Sequence, residues 1–247
     1  MPWRSNRTPY RVLVSELMLQ QTQVSRVVAK YAPFLRAFPS FRALANASVG
    51  DVCLAWNGLG YNRRALALRE TARVVVSQFR GRLPRTVTEL TKLPGIGQAT
   101  ASAILVYAFG IPLPFIETNI RRVFLHHFFP GELLVPDSRI MPLVEKTLDR
   151  ANPSDWYYAL MDYGSLLGRS TANPNRRSAH YKRQSAFGGS VRQLRGRVLA
   201  VMLELGEASR AGITRALGTQ DPRLEGVLER LQIEGFLSRP GRRYQLR

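Results

Sequence analysis

Thr88-Glu-Leu-Thr-Lys-Leu-Pro-Gly-Ile-Gly-Gln-Ala-Thr-Ala-Ser-Ala-Ile-Leu105 is the stretch that decides how this chain folds. Helix-forming residues lie on both flanks, and Leu93-Pro-Gly-Ile-Gly97 between them interrupts the helix. Glycines at such a turn let the backbone bend sharply and come close to an anion. The amides that open the next helix then point at that anion. Ala99, Ala101 and Ala103 keep the second helix slim enough to pack against the turn. The predicted result is a phosphate-facing corner with Leu93, Gly95, Gly97 and Gln98 as its contact candidates.

Outward from that corner, apolar residues recur with a 3.6-residue period and strand-like alternation is nearly absent. The pattern predicts helices over 10–21, 23–38, 48–56, 62–79, 86–92, 98–109, 118–128, 140–149 and 154–167. Ser48 is the N-cap candidate of its helix, with Asp51 three residues on. About ten helices therefore account for residues 1–168, an all-α domain. Residues 169–189 form a basic, Ser/Asn/Pro-rich linker without an acidic side chain. Residues 190–247 read as three helices (191–205, 209–217, 221–233) and two short strands near Phe236-Leu237 and 244–246. That order describes a small winged-helix domain whose third helix reads DNA and whose wing carries Arg239, Arg242 and Arg243.

Composition narrows the function. Lys and Arg number 36 against 17 Asp and Glu, a formal net charge of +19, which favours a polyanionic partner such as double-stranded DNA. Cys53 is the only cysteine, so neither a disulfide nor a cysteine-held metal or cluster fits within one chain. Adjacent His126 and His127 point to different faces of a predicted helix, which suits a surface or structural role better than metal ligation. No apolar run approaches the ~20 residues of a membrane span, and no signal-peptide pattern opens the chain. A monomer in the cytoplasm, associated with the nucleoid, is the expectation.

Several motifs together resemble one family. Pro2-Trp-Arg4, Thr8-Pro-Tyr-Arg11 and Ser15-Glu-Leu-Met-Leu-Gln-Gln-Thr-Gln-Val24 are similar to the N-terminal signature of the MutY-type adenine DNA glycosylases. These belong to the helix-hairpin-helix (endonuclease III) superfamily. Gly58-Leu-Gly-Tyr61, Leu93-Pro-Gly-Ile-Gly97, Ile116-Glu-Thr-Asn-Ile-Arg-Arg-Val123 and Met161-Asp-Tyr-Gly164 continue the resemblance in order. It covers residues 2–168 and implies a two-lobed helical glycosylase fold, the Leu93–Gly97 corner being its hairpin.

The resemblance implies roles. Glu16 would be the general acid that protonates the flipped base, at N7 of a purine. Its neighbours Leu13, Leu17 and Leu19 would raise its pKa, as an acid working near neutrality requires. Glu117 occupies the position of the family's aspartate, facing the sugar where oxocarbenium character develops; a helix-capping carboxylate is the alternative. Asn119 would orient that carboxylate or its water. Gln21, Thr22 and Tyr61 would contact or enter the duplex beside the everted nucleotide. Trp3, Arg4, Leu19 and Asp162 would line the base pocket.

Departures from the family carry equal information. Ala99 stands where bifunctional relatives have a Schiff-base lysine and some adenine-specific ones a tyrosine. Arg121 stands where adenine-specific relatives have lysine, and its guanidinium is no amine nucleophile. A monofunctional hydrolase without lyase activity follows. The cluster cysteines are absent from residues 168–183, so no iron–sulfur cofactor is expected, and Tyr181 and Phe187 are expected to pack that end. A structural monovalent cation at the hairpin is the one remaining cofactor expectation. Relatives have a further helix before Pro2 and a C-terminal domain that recognises 8-oxoguanine. Adenine opposite 8-oxoguanine or guanine is the favoured substrate. Uracil, thymine or hypoxanthine excision, and a catalytically inactive DNA-binding protein, remain alternatives.

Overall fold

The computed structural model describes residues 1–247, which form two compact units. The first comprises Met1–Ser5, Leu17–Arg82 and Ser185–Arg247; the second comprises Asn6–Glu16 and Leu83–Gln184. Helix α1 (Pro2–Ser5) precedes α2 (Pro9–Leu19), which supplies residues to both.

The first unit continues with α3 (Val24–Ala37), α4 (Phe41–Asn46), α5 (Val49–Trp56) and α6 (Arg63–Gln78). Its aromatic core joins Phe34 edge-on to Trp56 at 5.9 Å and Trp3 edge-on to Tyr31 at 5.6 Å. Ser48 caps α5 by accepting from the Asp51 amide, and its hydroxyl donates to the Asp51 carboxylate at 2.6 Å. Helix α4, absent from the sequence expectation, starts at Ser40, whose side chain accepts from the Ala43 amide.

The same unit contains the chain's C-terminal part. Ser190 caps α12 (Val191–Leu205), followed by β1 (Glu207–Ser209), α13 (Arg210–Leu217), α14 (Leu224–Ile233), β2 (Leu237–Ser238) and β3 (Arg243–Leu246). The strands form an antiparallel sheet in the order β1-β3-β2, with Ala208 opposite Tyr244 and Leu237 opposite Leu246. β1 is an addition to the two strands expected. Val198, Met202, Ile213, Leu228, Phe236 and Tyr244 bury one core together with Val49 and Cys53 of α5. Residues 190–247 supply every residue of this core cluster but two, Val49 and Cys53, through which α5 packs against them. The Gly50 amide donates to the Arg247 carbonyl, and Arg63 and Arg195 both bind Glu234.

The second unit is built on α7 (Val87–Leu90), α8 (Gln98–Phe109), α9 (Thr118–Phe128), α10 (Asp137–Thr147) and α11 (Pro153–Ser170). Phe115 and Tyr157 stack with centroids 4.0 Å apart, and the Tyr157 hydroxyl joins the Phe115 amide to the Leu113 carbonyl. Helices α9 and α11 cross closely because Gly164 and Gly168 face α9. A Cβ at Gly164 would lie 2.3 Å from the Asn119 carbonyl oxygen, and one at Gly168 would lie 2.6 Å from the Arg122 guanidinium.

The basic segment after α11 does not close this end with aromatics. Tyr181 and Phe187 are 42% and 61% exposed. A 3-10 turn, Pro174–Arg177, does the packing instead. Asn175 donates to the Thr118 carbonyl, Arg177 donates to the carbonyls of Leu125 and Phe129, and Val135 bridges to Ser178. Carbonyls that α9 leaves unpaired at its C-terminal end are thereby satisfied by a guanidinium. Arg177, in sequence one charge of a basic linker, is thus a structural residue.

Candidate active site

Two glutamates of the second unit interact across a shared environment. Glu16 lies on α2 among buried Leu13, Ser15 and Leu17. Part of its side chain stays solvent-reachable, but protein surrounds the carboxyl closely. Burial, reinforced by the Glu117 charge, pushes its pKa up to about 8. Glu117 is the N-cap of α9. One of its oxygens accepts from the amides of Asn119 (2.6 Å) and Ile120 (2.8 Å), the other from the Asn119 side-chain amide (3.3 Å). The helix-capping alternative is therefore realised in the free protein. Burial raises the pKa of Glu117 too, while the two amides and the charges of Arg121 and Arg122 oppose that rise.

Asn119 is oriented in turn. Its side-chain oxygen accepts from Arg122 at 2.8 Å, and the same guanidinium donates to the Gly164 carbonyl at 2.5 Å and the Asn173 side chain at 3.2 Å. Arg122 thus donates both to Asn173, which caps the 3-10 turn, and to Asn119, which in turn donates to the Glu117 carboxylate. Arg121 is engaged elsewhere, in a two-pronged ion pair with Asp137 at 2.7 Å for each contact. Tyr107, buried and stacked on Tyr158 at 4.7 Å, feels the charges of both glutamates and has its pKa held well up by burial. Sequence reading missed Arg122 and Tyr107. Arg122 lay within a quoted motif, but arginines are abundant here and nothing in their spacing marks a partner.

A carboxyl that holds its proton near neutrality can deliver it to one atom, and a second, donor-bound carboxyl beside it can, when ionised, stabilise positive charge or activate water at another. No group of three or more His, Cys, Asp or Glu side chains is arranged to hold a metal ion. Cys53, buried in a core of the first unit, is the sequence's single thiol, and one thiol does not fit the four thiolate ligands of an iron–sulfur cluster.

The hairpin has the expected geometry with one correction. Gly95 has φ of 76°, Gly97 opens α8 without a side-chain cap, and Gly95, Gly97 and Gln98 are exposed. Leu93 is only 3% exposed, so its side chain belongs to the core and only its backbone lies at the turn. Asp162 is exposed on α11.

In the first unit, Gln21 and Tyr61 have left-handed backbones, φ 52° and 48°. Such a conformation costs a residue other than glycine ~1–2 kcal/mol. Gln21 is exposed, Thr22 is half-buried, and the Tyr61 hydroxyl accepts from Arg192 of α12 at 3.1 Å. Trp3 is buried against Tyr31; Arg4 and Leu19 are half-buried. Arg239, Arg242 and Arg243 are exposed, Arg239 lying over the Tyr244 ring and Arg243 pairing with Glu207 at 3.2 Å. Helix α14 was expected to read DNA; it carries Glu225, paired with Arg210 at 2.8 Å, and Glu229 against Arg230, and is less basic than the β2–β3 hairpin.

Residues 14–142 match the family described as HhH-GPD superfamily base excision DNA repair protein. The chain belongs to the HhH-GPD superfamily. Among curated relatives of this superfamily member, an adenine DNA glycosylase of Buchnera aphidicola subsp. Baizongia pistaciae is 34% identical over 171 residues, 68% of this chain and 48% of that protein. An adenine DNA glycosylase of Mycolicibacterium smegmatis is 32% identical over 262 residues, 96% of this chain and 87% of that protein. The chain spans about half the length of the Buchnera relatives. A solved thermostable thymine-DNA glycosylase shares the fold with a TM-score of 0.60 and 26% identity, over 67% of this chain and 78% of that one. The mostly helical helix-hairpin-helix glycosylase fold is thereby the fold of this superfamily member.

Proposed function

We propose that this HhH-GPD protein is a monofunctional DNA glycosylase that hydrolyses the N-glycosidic bond of a mispaired or modified base flipped from duplex DNA, with adenine opposite 8-oxoguanine or guanine as its substrate. The observation that carries the reading is the pairing of Glu16, whose pKa is pushed up to about 8, with a Glu117 carboxylate held by two backbone amides and Asn119. Glu16 donates its proton to a ring nitrogen of the leaving base as the C1′–N bond breaks. The Glu117 carboxylate stabilises the positive charge that develops on the sugar and takes a proton from the water that adds to C1′. The products are a free base and an abasic sugar, with no covalent enzyme intermediate. Ala99 offers no amine, and the Arg121 guanidinium is tied to Asp137, which supports the absence of lyase activity.

Family likeness supports DNA as partner, and the net charge of +19 supports backbone binding through the hairpin amides and through Arg239, Arg242 and Arg243. The order of helices and strands over residues 190–247 supports a winged-helix reading of that part. The acidity of α14 favours its hairpin over its third helix as the DNA-contacting element. The protein acts without an iron–sulfur cluster, as a monomer in the cytoplasm; no helix is long and apolar enough to cross a membrane.

The test is incubation with end-labelled duplexes containing A:8-oxoguanine, A:G, T:G, U:G or hypoxanthine:T, followed by alkali, beside a Glu16→Gln control. Alkali-dependent cleavage of A:8-oxoguanine and A:G, lost in the control, is expected. Cleavage of T:G or U:G alone would favour the second reading, a pyrimidine glycosylase, which the thymine-DNA glycosylase likeness and Ala99 recommend. Tight binding without base release on any duplex would replace both readings with a DNA-binding protein.

A further inference from the structure

We propose that Arg64 is a positioning residue for duplex insertion, holding the loops that carry Gln21 and Tyr61 as one preformed wedge. The inference rests on the reading that Gln21 and Tyr61 enter the DNA. Arg64 stands in the first turn of α6 and is almost wholly buried. Its Nη1 donates to the carbonyls of Leu17 (2.7 Å), Met18 (3.0 Å) and Gln20. These acceptors lie in the last turn of α2 and just beyond it, where a helix leaves carbonyls unpaired. Its Nη2 donates to the Thr22 hydroxyl (2.7 Å) and the Gly60 carbonyl (3.1 Å), and its Nε donates to the Tyr61 carbonyl (3.4 Å). The Thr22 hydroxyl passes its own proton to the Leu59 carbonyl at 3.2 Å. One guanidinium thus touches both sides of Gln21 and both sides of the Gly60–Tyr61 peptide.

Only arginine can do this, because its five N–H donors are fixed in one plane. Burial lowers its pKa to about 10, so it is still a cation near neutrality and every one of these bonds is charge-assisted. Its guanidinium carbon lies 5.4 Å from the Tyr61 ring centroid and 5.5 Å from that of Trp56, which adds attraction to each ring. Gln21 and Tyr61 account for two of the four residues other than glycine with positive φ. Neither side chain selects that conformation, so an outside group has to hold it. A wedge already in shape gives up little freedom on entering the stack, so its benefit appears in base extrusion rather than in bond cleavage.

The experiment uses the full chain and a duplex with 2-aminopurine beside the target adenine, whose fluorescence rises on extrusion. Gln21→Ala and Tyr61→Ala measure the wedge; Arg64→Lys and Thr22→Val measure its support. Thr22→Val removes one half-buried hydroxyl and keeps the test available if Arg64→Lys does not fold. Both support variants are expected to raise the protein concentration for half-maximal extrusion about 10-fold, the loss typical of a charge-assisted hydrogen bond. In Arg64→Lys the pH profile of base release at saturation should be unchanged, and adding Arg64→Lys to Gln21→Ala/Tyr61→Ala should impair extrusion no further. The proposal is overturned if the wedge variants impair extrusion while Arg64→Lys and Thr22→Val leave it intact, or if Arg64→Lys adds its full loss to that of Gln21→Ala/Tyr61→Ala. If Gln21→Ala and Tyr61→Ala leave extrusion unchanged, the insertion reading itself fails, and the support role with it.

Discussion

The end of α2 and the start of α9 each bury a glutamate in the second unit and raise its pKa, but only the second supplies donors that oppose the rise. At Glu16, burial and a neighbouring negative charge act together, and the proton is retained to about pH 8. At Glu117, burial is opposed by two backbone amides, by the Asn119 side chain and by two arginine charges. Burial is the largest cause at both sites, and the donors at Glu117 act against it. The acid role falls to Glu16, where no donor competes for the proton. In a coupled pair of this kind the apparent pKa values belong to both carboxyls together.

The comparison breaks most visibly at the acid. Glu16→Gln is expected to lower single-turnover base release by about 10²–10⁴-fold, the usual contribution of a positioned acid. It should also raise thermal stability at alkaline pH. A carboxyl whose folded pKa lies above its unfolded value of 4.5 adds stability at low pH that is lost as pH rises through about 8. The amide has no such loss, so the Tm difference between variant and parent should grow between pH 6 and pH 9. A constant difference would deny the raised pKa.

Gly164→Ala attacks the other half of the pair through its scaffold. A methyl 2.3 Å from the Asn119 carbonyl must separate α9 from α11, disturbing Arg122 and Asn119 together. A destabilisation of about 1–3 kcal/mol is expected from overpacking, measured by urea unfolding. A fall in base release larger than the loss of folded protein should accompany it. Full activity in the folded fraction would show that the Arg122–Asn119 relay does not set Glu117.

Glu117→Gln sharpens the comparison with a smaller effect. Removing its charge takes away the second cause of the high Glu16 pKa, so the alkaline limb of Glu16 protonation should move to lower pH. Carboxyl NMR reads this directly even if base release is weak. An unmoved limb would mean that burial alone sets the acid.

Much of this arrangement was legible in the sequence. The bounds of α8, α9 and α12 agree with the pattern because each runs three turns or more between clear caps or breakers. The Glu16, Glu117 and Asn119 trio emerged from motif resemblance, and the structure brings them within reach of one another's charges and donors. Short elements escaped notice. Helix α4 has six residues and β1 has three, too few to repeat a period, and the 3-10 turn lies in a segment whose composition says only linker. Arg64, Arg122 and Arg177 escaped for another reason. Arg64 and Arg177 bind chiefly backbone carbonyls, which every residue carries, and Arg122 binds a carbonyl and two asparagines, so no acidic partner announces them. Tyr181 and Phe187 misled because hydrophobicity suggested packing where hydrogen bonds to carbonyls do the work.

The unequal treatment of the two glutamates is tested most directly by a carboxyl ¹³C NMR titration of glutamate-labelled protein, with Glu16→Gln and Glu117→Gln used to assign the signals. One carboxyl, absent from the Glu16→Gln spectrum, is predicted to titrate near pH 8. If that signal titrates near 4.5, the value of an ordinary glutamate, Glu16 is ionised at neutral pH and cannot be the acid.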